Sequence, residues 1–368
     1  MMEIPIFNTY IDPSAASVIG HVLQSTFLSE GKLVREFESK LYSEFGIYNA
    51  VALNSGTSAL HLALDVAGIS EGDEVIIPAQ TFVATGLVVL QKKAIPVFAD
   101  VDYHTGNISV ESIKQKITAK TKAIIPVHWG GYPCDMDEIN DLAKQNNIIV
   151  IEDAAHALGA SYKGRAIGSI SDYTCFSFQA IKHLTTGDGG ALACLNDAAR
   201  VKAMTGRWFG IDRNHARLSL LGERQYDIEK MGYKYHMNDY AAALGLANMN
   251  NFFVRLVKRI EYADIYRQEL NSLNGISLFQ HNDDRKSAHW LFGFHVEKRE
   301  DFIQALKAKG ISSSVIHQRI DRNSVFGGLR MDLPAQELFD QTQIHIPLHD
   351  ALDMEKVNYI IDCIKQGW

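Results

Sequence analysis

Long apolar runs are missing from this 368-residue chain. No stretch reaches the roughly 18 residues that a membrane-crossing helix needs, so no membrane partner is expected. Basic residues are also in short supply: 36 Lys and Arg face 43 Asp and Glu, a net charge of −7. A nucleic-acid binder usually carries the opposite surplus, so no nucleic-acid partner is expected either. Cysteine is scarce. The four residues Cys134, Cys175, Cys194 and Cys363 lie far apart with no C-x-x-C pair. That spacing argues against a disulfide framework and against a metal site, and fits reduced, buried thiols in a cytoplasmic protein. The opening Met1-Met2-Glu3-Ile4-Pro5-Ile6-Phe7 has neither the positive region nor the apolar core of a signal peptide. There is no G-x-G-x-x-G after a strand and no G-x-x-x-x-G-K-[ST], so dinucleotide and triphosphate loops have no support. Internal repeats and low-complexity segments are absent too.

What is present is the composition of a globular protein, 46% hydrophobic and 21% charged, with a length that predicts about two domains. Phe37, Leu41 and Phe45 mark one helical face, with Gly46 as its C-cap. Seven apolar runs read as strands: 48–53, 74–78, 95–99, 123–127, 147–151, 173–178 and 191–195. They are apolar on both faces and alternate with helical segments, which predicts a largely parallel sheet between helix layers. Asp135 and Glu138 resemble a capping box opening a helix. Residues 211–232 read as a long polar excursion, and Asn238 to about Lys258 as one helix. Beyond it, a strand at 289–296, a helix at 301–309, a strand at 311–316 and a final helix bearing Val357, Ile360, Ile361 and Ile364 predict a smaller α+β unit. The expected domains are therefore 1–250, large and α/β with the N-terminal segment included, and 251–368, small and C-terminal.

Three predicted strand ends carry chemistry. Ser55-Gly56-Thr57-Ser58-Ala59-Leu60 joins a strand to a helix N-terminus. Free N–H groups and the helix dipole favour an anion there, although alone the turn reads better as an ordinary N-cap. Asp153 follows an apolar strand at its carboxyl end, where open α/β sheets bind ligands. Lys182 lies 29 residues on, after Phe176-Ser177-Phe178-Gln179-Ala180-Ile181 and before a Gly-rich turn. An isolated lysine is usually solvated. An anion cradle, a carboxylate and a lysine at neighbouring strand ends are, however, the requirements of pyridoxal 5′-phosphate (PLP): a phosphate site, a partner for the pyridine nitrogen and an amine for a Schiff base.

These residues, with Thr81-Phe82-Val83-Ala84-Thr85, Pro133-Cys134-Asp135-Met136-Asp137 and Glu152-Asp153-Ala154-Ala155-His156, resemble the DegT/DnrJ/StrS group of sugar aminotransferases over essentially the whole length. The resemblance implies a fold type I PLP-dependent transferase: an α/β domain with a mainly parallel seven-stranded sheet, plus a smaller C-terminal α+β domain. It implies that Lys182 holds the cofactor and shuttles protons, Asp153 pairs with the pyridinium nitrogen, Phe82 stacks on the ring and His156 lies near its hydroxyl. Gly56, Thr57, Ser58 and Ser177 would bind the phosphate. It also implies a homodimer with shared active sites. The loop that reaches the partner usually reads Asn-Tyr-Arg-Met and here reads Lys234-Tyr235-His236-Met237. Lys234 would then meet the partner's phosphate in place of asparagine, and His236 replaces arginine.

The activity implied is transfer of an amino group from L-glutamate to a 3-keto or 4-keto deoxysugar linked to a nucleotide, in nucleotide-sugar and O-antigen polysaccharide biosynthesis, with the cofactor cycling between PLP and its amine form PMP. Gln179, His183, Arg213, Tyr235, His317 and Arg319 are the candidate substrate contacts. A sugar dehydratase on the same fold is the alternative, and there the lysine position is resembled by a histidine. A third alternative is a non-catalytic PLP-binding regulatory relative. The nucleotide base and the carbon aminated are not legible.

Overall fold

Side chains along the strands alternate between two separate cores. Ala52, Ile76, Ile124, Val150 and Phe176 enter one, while Val51, Leu53, Val75, Ile77, Ile151 and Cys175 enter the other. That two-residue period is what a sheet covered on both faces requires. The computed structural model describes residues 3–213 and 216–368. Met1 and Met2 of the opening segment, and Asn214 and His215 of the excursion, lie outside the described residues.

The first part of the chain runs α1 (Ala15–Ser25), α2 (Lys32–Phe45), β1 (Val51–Leu53), α3 (Gly56–Val66), β2 (Glu74–Pro78), α4 (Ala84–Gln91), β3 (Ile95–Ala99), α5 (Val110–Lys116) and β4 (Thr121–Ile124). There follow α6 (Met136–Gln145), β5 (Ile149–Asp153), the short β6 (Ser161–Tyr162) and β7 (Arg165–Ala166), β8 (Tyr173–Ser177), β9 (Gly190–Cys194) and α7 (Asp197–Gly206). The seven-stranded sheet has the order β1-β9-β8-β5-β4-β2-β3. Only β9 runs antiparallel to its neighbours; the other pairings are parallel. Helix α2 supplies Val34, Phe37 and Leu41 to one core, and α3 supplies Leu60, Leu62 and Leu64 to the other. Gly46 caps α2 in the left-handed region at φ 68°.

The remainder consists of a hairpin, β10 (Arg217–Leu218) with β11 (Arg224–Gln225), then α8 (Asp239–Met249), α9 (Phe252–Leu270), β12 (Ile276–Leu278), β13 (Arg285–Lys286), β14 (Phe292–Val296), α10 (Arg299–Ala308), α11 (Pro334–Thr342), β15 (Gln343–Ile346) and α12 (Met354–Lys365). Strands β12, β14 and β15 form a three-stranded antiparallel sheet. Tyr266, Phe294, Phe302, Ile344 and Ile361 fill the core beneath it.

Several local expectations change. The helix expected from Asn238 to Lys258 is two helices, because Asn250 and Asn251 break it and Asn251 adopts φ 56°, a conformation asparagine tolerates. The excursion contains the β10–β11 hairpin, with Leu220 and Leu221 bare to solvent. Asp135 starts α6 but makes no side-chain cap; its carboxylate pairs with Arg285 at 2.7 Å instead. Residues 311–316 form no continuous strand. Ile311 bridges to Ile4, Ser314 bridges to His345, and the chain then turns at Ile316, φ 61°. A β-branched residue there is strained by roughly 1–3 kcal/mol, and His317, which follows it, offers its carbonyl to Gln80 at 3.1 Å. Ile4, placed by sequence with the large unit, packs in the C-terminal core and bonds to Gly310 and Ser312.

Candidate active site

Strand ends of the large sheet converge on a cavity of about 330 Å³. Asp153 ends β5, Ser177 ends β8 and Gly56 opens α3 after β1, and all three line it. The Ser55 side chain accepts from the Ser58 N–H at 3.0 Å, which fixes the start of α3. The neighbouring N–H groups of that first turn lie at the positive end of the helix. Gly56 is needed for close approach: a Cβ there would come within 2.9 Å of the Ser177 side chain.

Asp153 is 5% exposed. Burial raises its pKa, opposed by a hydrogen bond from Thr85 Oγ1 at 2.8 Å and one from the Ala155 N–H. Thr85 is itself bonded to Thr81 at 2.7 Å. The residue before Asp153 faces the other way: Glu152 Oε2 meets His128 Nε2 at 2.9 Å in a site closed to solvent. His128 Nδ1 accepts from the Cys134 N–H, so Nε2 carries the proton that Glu152 receives.

Lys182 is half-buried and faces the cavity. Burial depresses its pKa to about 7, with Asp153 pulling the other way. Its ammonium lies 3.6 Å from the centroid of the Trp290 ring. His156 stacks on Trp290 at 3.8 Å, and burial, then Lys182, holds it well below the usual imidazole range. His156 Nδ1 is buried without a partner. Phe82 is 53% exposed although strongly apolar, and its ring sits 5.1 Å from that of His317.

Nine of the expected site residues line this cavity: Gly56, Thr57, Phe82, Asp153, His156, Ser177, Gln179, Lys182 and His317. Six do not. Ser58 is buried, its hydroxyl donating to Asn54 Oδ1 at 2.6 Å. His183 turns away from its neighbour Lys182 and bonds the Ala288 carbonyl at 2.8 Å. Arg319 is gripped by Asp321 and Glu337. Tyr235 donates to or accepts from His61 Nδ1 at 3.2 Å. Arg213 lies beside Glu30, over the Trp208 ring. Lys234 is exposed, with its carbonyl bonded by Asn54. Beyond those six, His236, which stands where the family has arginine, packs edge-on to Trp208 at 4.2 Å. Thr81, Thr85 and Trp290 went unassigned from sequence. The i, i+4 threonines after β2 were visible there, but nothing local marks Trp290.

The residues present fit PLP. The α3 N-terminus with the Thr57 and Ser177 hydroxyls suits a phosphate. The raised Asp153 carboxyl suits a cationic ring nitrogen, which would relieve its desolvation. The bare Phe82 face awaits a flat partner, and the unpaired His156 Nδ1 awaits a polar one. Lys182, near neutrality, can present a free amine to an aldehyde. Among the described residues no group of three or more His, Cys, Asp or Glu could hold a metal, and no helix is long and apolar enough to cross a membrane.

Comparison with known proteins places the chain in a family. The sequence model of the DegT/DnrJ/EryC1/StrS aminotransferase family matches residues 10–365. GDP-perosamine synthase of Escherichia coli O157:H7 is 33% identical over 100% of this chain and 99% of its own. The crystal structure of sugar aminotransferase CalS13 from Micromonospora echinospora superposes with a TM-score of 0.95 at 31% identity, covering 99% of this chain and 100% of that one. Spr1654 from Streptococcus pneumoniae, in its PLP-form, superposes with a TM-score of 0.91 at 30% identity, covering 99% and 98%. The chain belongs to the DegT/DnrJ/EryC1/StrS aminotransferase family, and it is a PLP-dependent sugar aminotransferase of fold type I.

Proposed function

We propose that this protein moves the amino group of L-glutamate onto the C3 or C4 ketone of a nucleotide-linked deoxysugar, as a step of surface-polysaccharide biosynthesis. The observation that carries the reading is the cavity's charge. Lys182 is its one Lys or Arg among the described lining residues, and Gln179 and His317 at its edge are uncharged. Burial, and then Lys182, pushes His317 down to about 4. Neutral donors and acceptors such as these match sugar hydroxyls.

PLP, when bound, supplies the electron sink that allows a C–H bond next to the amino group to ionise. Lys182 takes that proton as a base and returns it as an acid, and a pKa near 7 equips one amine for both tasks. Asp153 would pair with the ring nitrogen and favour its protonated form. Phe82 would pack against the ring. Thr57, Ser177 and the first N–H groups of α3 would hold the phosphate. His156, neutral at working pH, contributes hydrogen bonds without adding positive charge.

A homodimer belongs to the proposal. Lys234 stands outside its own cavity and is exposed, so a second copy's phosphate is within its remit. The four cysteines are free and buried, which suits the cytoplasm. A panel of keto-sugar nucleotides incubated with glutamate and read by product mass tests the activity. We expect an amino sugar and 2-oxoglutarate in equal amounts. Ammonia without an amino sugar would mean a dehydratase instead.

A further inference from the structure

Trp290 enters the site from the loop before β14, far along the chain from the lysine it meets. It is 1% exposed. Its ring stacks with His156 at 3.8 Å and with Phe7 at 5.2 Å. Its Nε1–H donates to the Ile181 carbonyl at 2.9 Å, the peptide just before Lys182. The Lys182 amine lies 3.6 Å from the ring centroid. Among the described residues Lys182 forms no ion pair within 4 Å.

We propose that Trp290 is a positioning residue for Lys182: its indole face holds the ammonium released from the cofactor, and its N–H fixes the main chain that carries the lysine. The inference rests on Lys182 being the lysine that bears the cofactor. The chemistry explains why a ring is used here. A released Lys182 must take a proton and then give it up. A hydrogen-bonded carboxylate would hold the ammonium too firmly for the second task, and an aliphatic wall would disfavour the ammonium needed after the first. A π face attracts the charge by an intermediate amount and leaves the N–H groups free to point at the reacting carbons. The other titratable groups around the amine do not substitute for it. Asp153 acts across the cavity, with its oxygens already bonded to Thr85 and Ala155. Asp188 also lines the cavity. His156, His183 and His317 are all held neutral by burial.

Trp290→Phe keeps an aromatic face and loses the N–H; Trp290→Leu loses both. The enzyme is loaded with pyridoxamine phosphate, which leaves Lys182 free, and pulse-acetylated at graded pH. Peptide mass spectrometry then reads the Lys182 pKa. The expected order is wild type above Phe above Leu, with Leu lower by about one pH unit. The acid limb of kcat for the glutamate half-reaction should move down in step, with kcat falling about tenfold and KM much less. A Lys182 pKa and kcat unchanged in both variants overturns the proposal. Borohydride reduction of the PLP-loaded wild type gives the control: a tag on a residue other than Lys182 removes the underlying reading of the site, whereas a tag on Lys182 with no pKa change removes only the role of Trp290. Should the Leu variant not fold, the Phe variant alone decides, since a Phe face attracts a cation less than an indole does.

Discussion

Lys182 and Arg319 are both cations withdrawn from bulk water, and the molecule treats them in opposite ways. Arg319 is 2% exposed and fully answered: Nε and Nη2 bond the two Asp321 oxygens at 2.8 and 2.7 Å, Nη1 bonds Glu337 at 2.6 Å, and Nη2 also reaches the Arg330 carbonyl at 3.0 Å. Arg207 and Arg259 are served likewise, by Glu38 with Glu30 and by Asp350. Lys182 has no such partner; it has a ring, a distant carboxylate and a cavity. Paired guanidinium groups hold the fold in one arrangement. An unpaired amine in a cavity is held back from its preferred charge state, and that readiness is what proton transfer needs. The difference also explains why Arg319, basic and close in sequence to His317, is structural, while His317 lines the cavity.

The largest effect should come from erasing the unpaired cation. Lys182→Met should abolish the visible band of the lysine-bound cofactor and cut glutamate-dependent turnover by about 10⁴-fold, measured by absorbance and 2-oxoglutarate release. It should also stabilise the cofactor-free protein. Lys182 titrates at about 7 when folded and at about 10.4 when unfolded. Over that interval the unfolded chain binds the extra proton, so wild-type stability rises with pH. The variant should therefore melt higher than wild type at pH 7, by a margin that shrinks toward pH 10. A lower melting temperature at pH 7 would contradict the comparison.

Next is the paired cation, where the sign reverses. Asp321→Asn should leave the cofactor band intact and lower the unfolding free energy by about 3 kcal/mol, because Arg319 keeps its charge and loses half of its answer. Urea unfolding reads this, and a neutral result would show that the pair is dispensable.

Smallest is Thr85→Val, which acts on the carboxylate across from Lys182. Burial already raises the Asp153 pKa and the Thr85 bond lowers it. Losing that bond raises it further, so ionised Asp153 is reached only at higher pH. The acid limb of the glutamate half-reaction should move up, and PLP should bind about tenfold more weakly. A limb that stays in place in a pH–rate series would show that Asp153 does not depend on Thr85.

How much of this was visible beforehand depends on sequence distance. Asp153, Lys182 and Gly56 were legible because an apolar strand followed abruptly by a polar or small residue is a local pattern, and parallel strands bring such ends to one edge. Trp290 was not, since its bond to Ile181 spans 109 residues. The Thr85 bond to Asp153 spans 68. His183 was misplaced for a different reason: adjacency in the chain says nothing of direction once the chain turns, and this one turns toward Ala288. Asp135 found a carboxylate's preferred partner in Arg285, 150 residues on, and that contact outweighed a local cap.

The order of amino acids alone establishes the alternation of strand and helix, the buried parallel sheet and the residue types at its strand ends, because periodicity and turn chemistry act over a few residues. Which cation is answered and which is left poised is decided by the packed chain, because burial and partnership depend on what distant segments bring alongside.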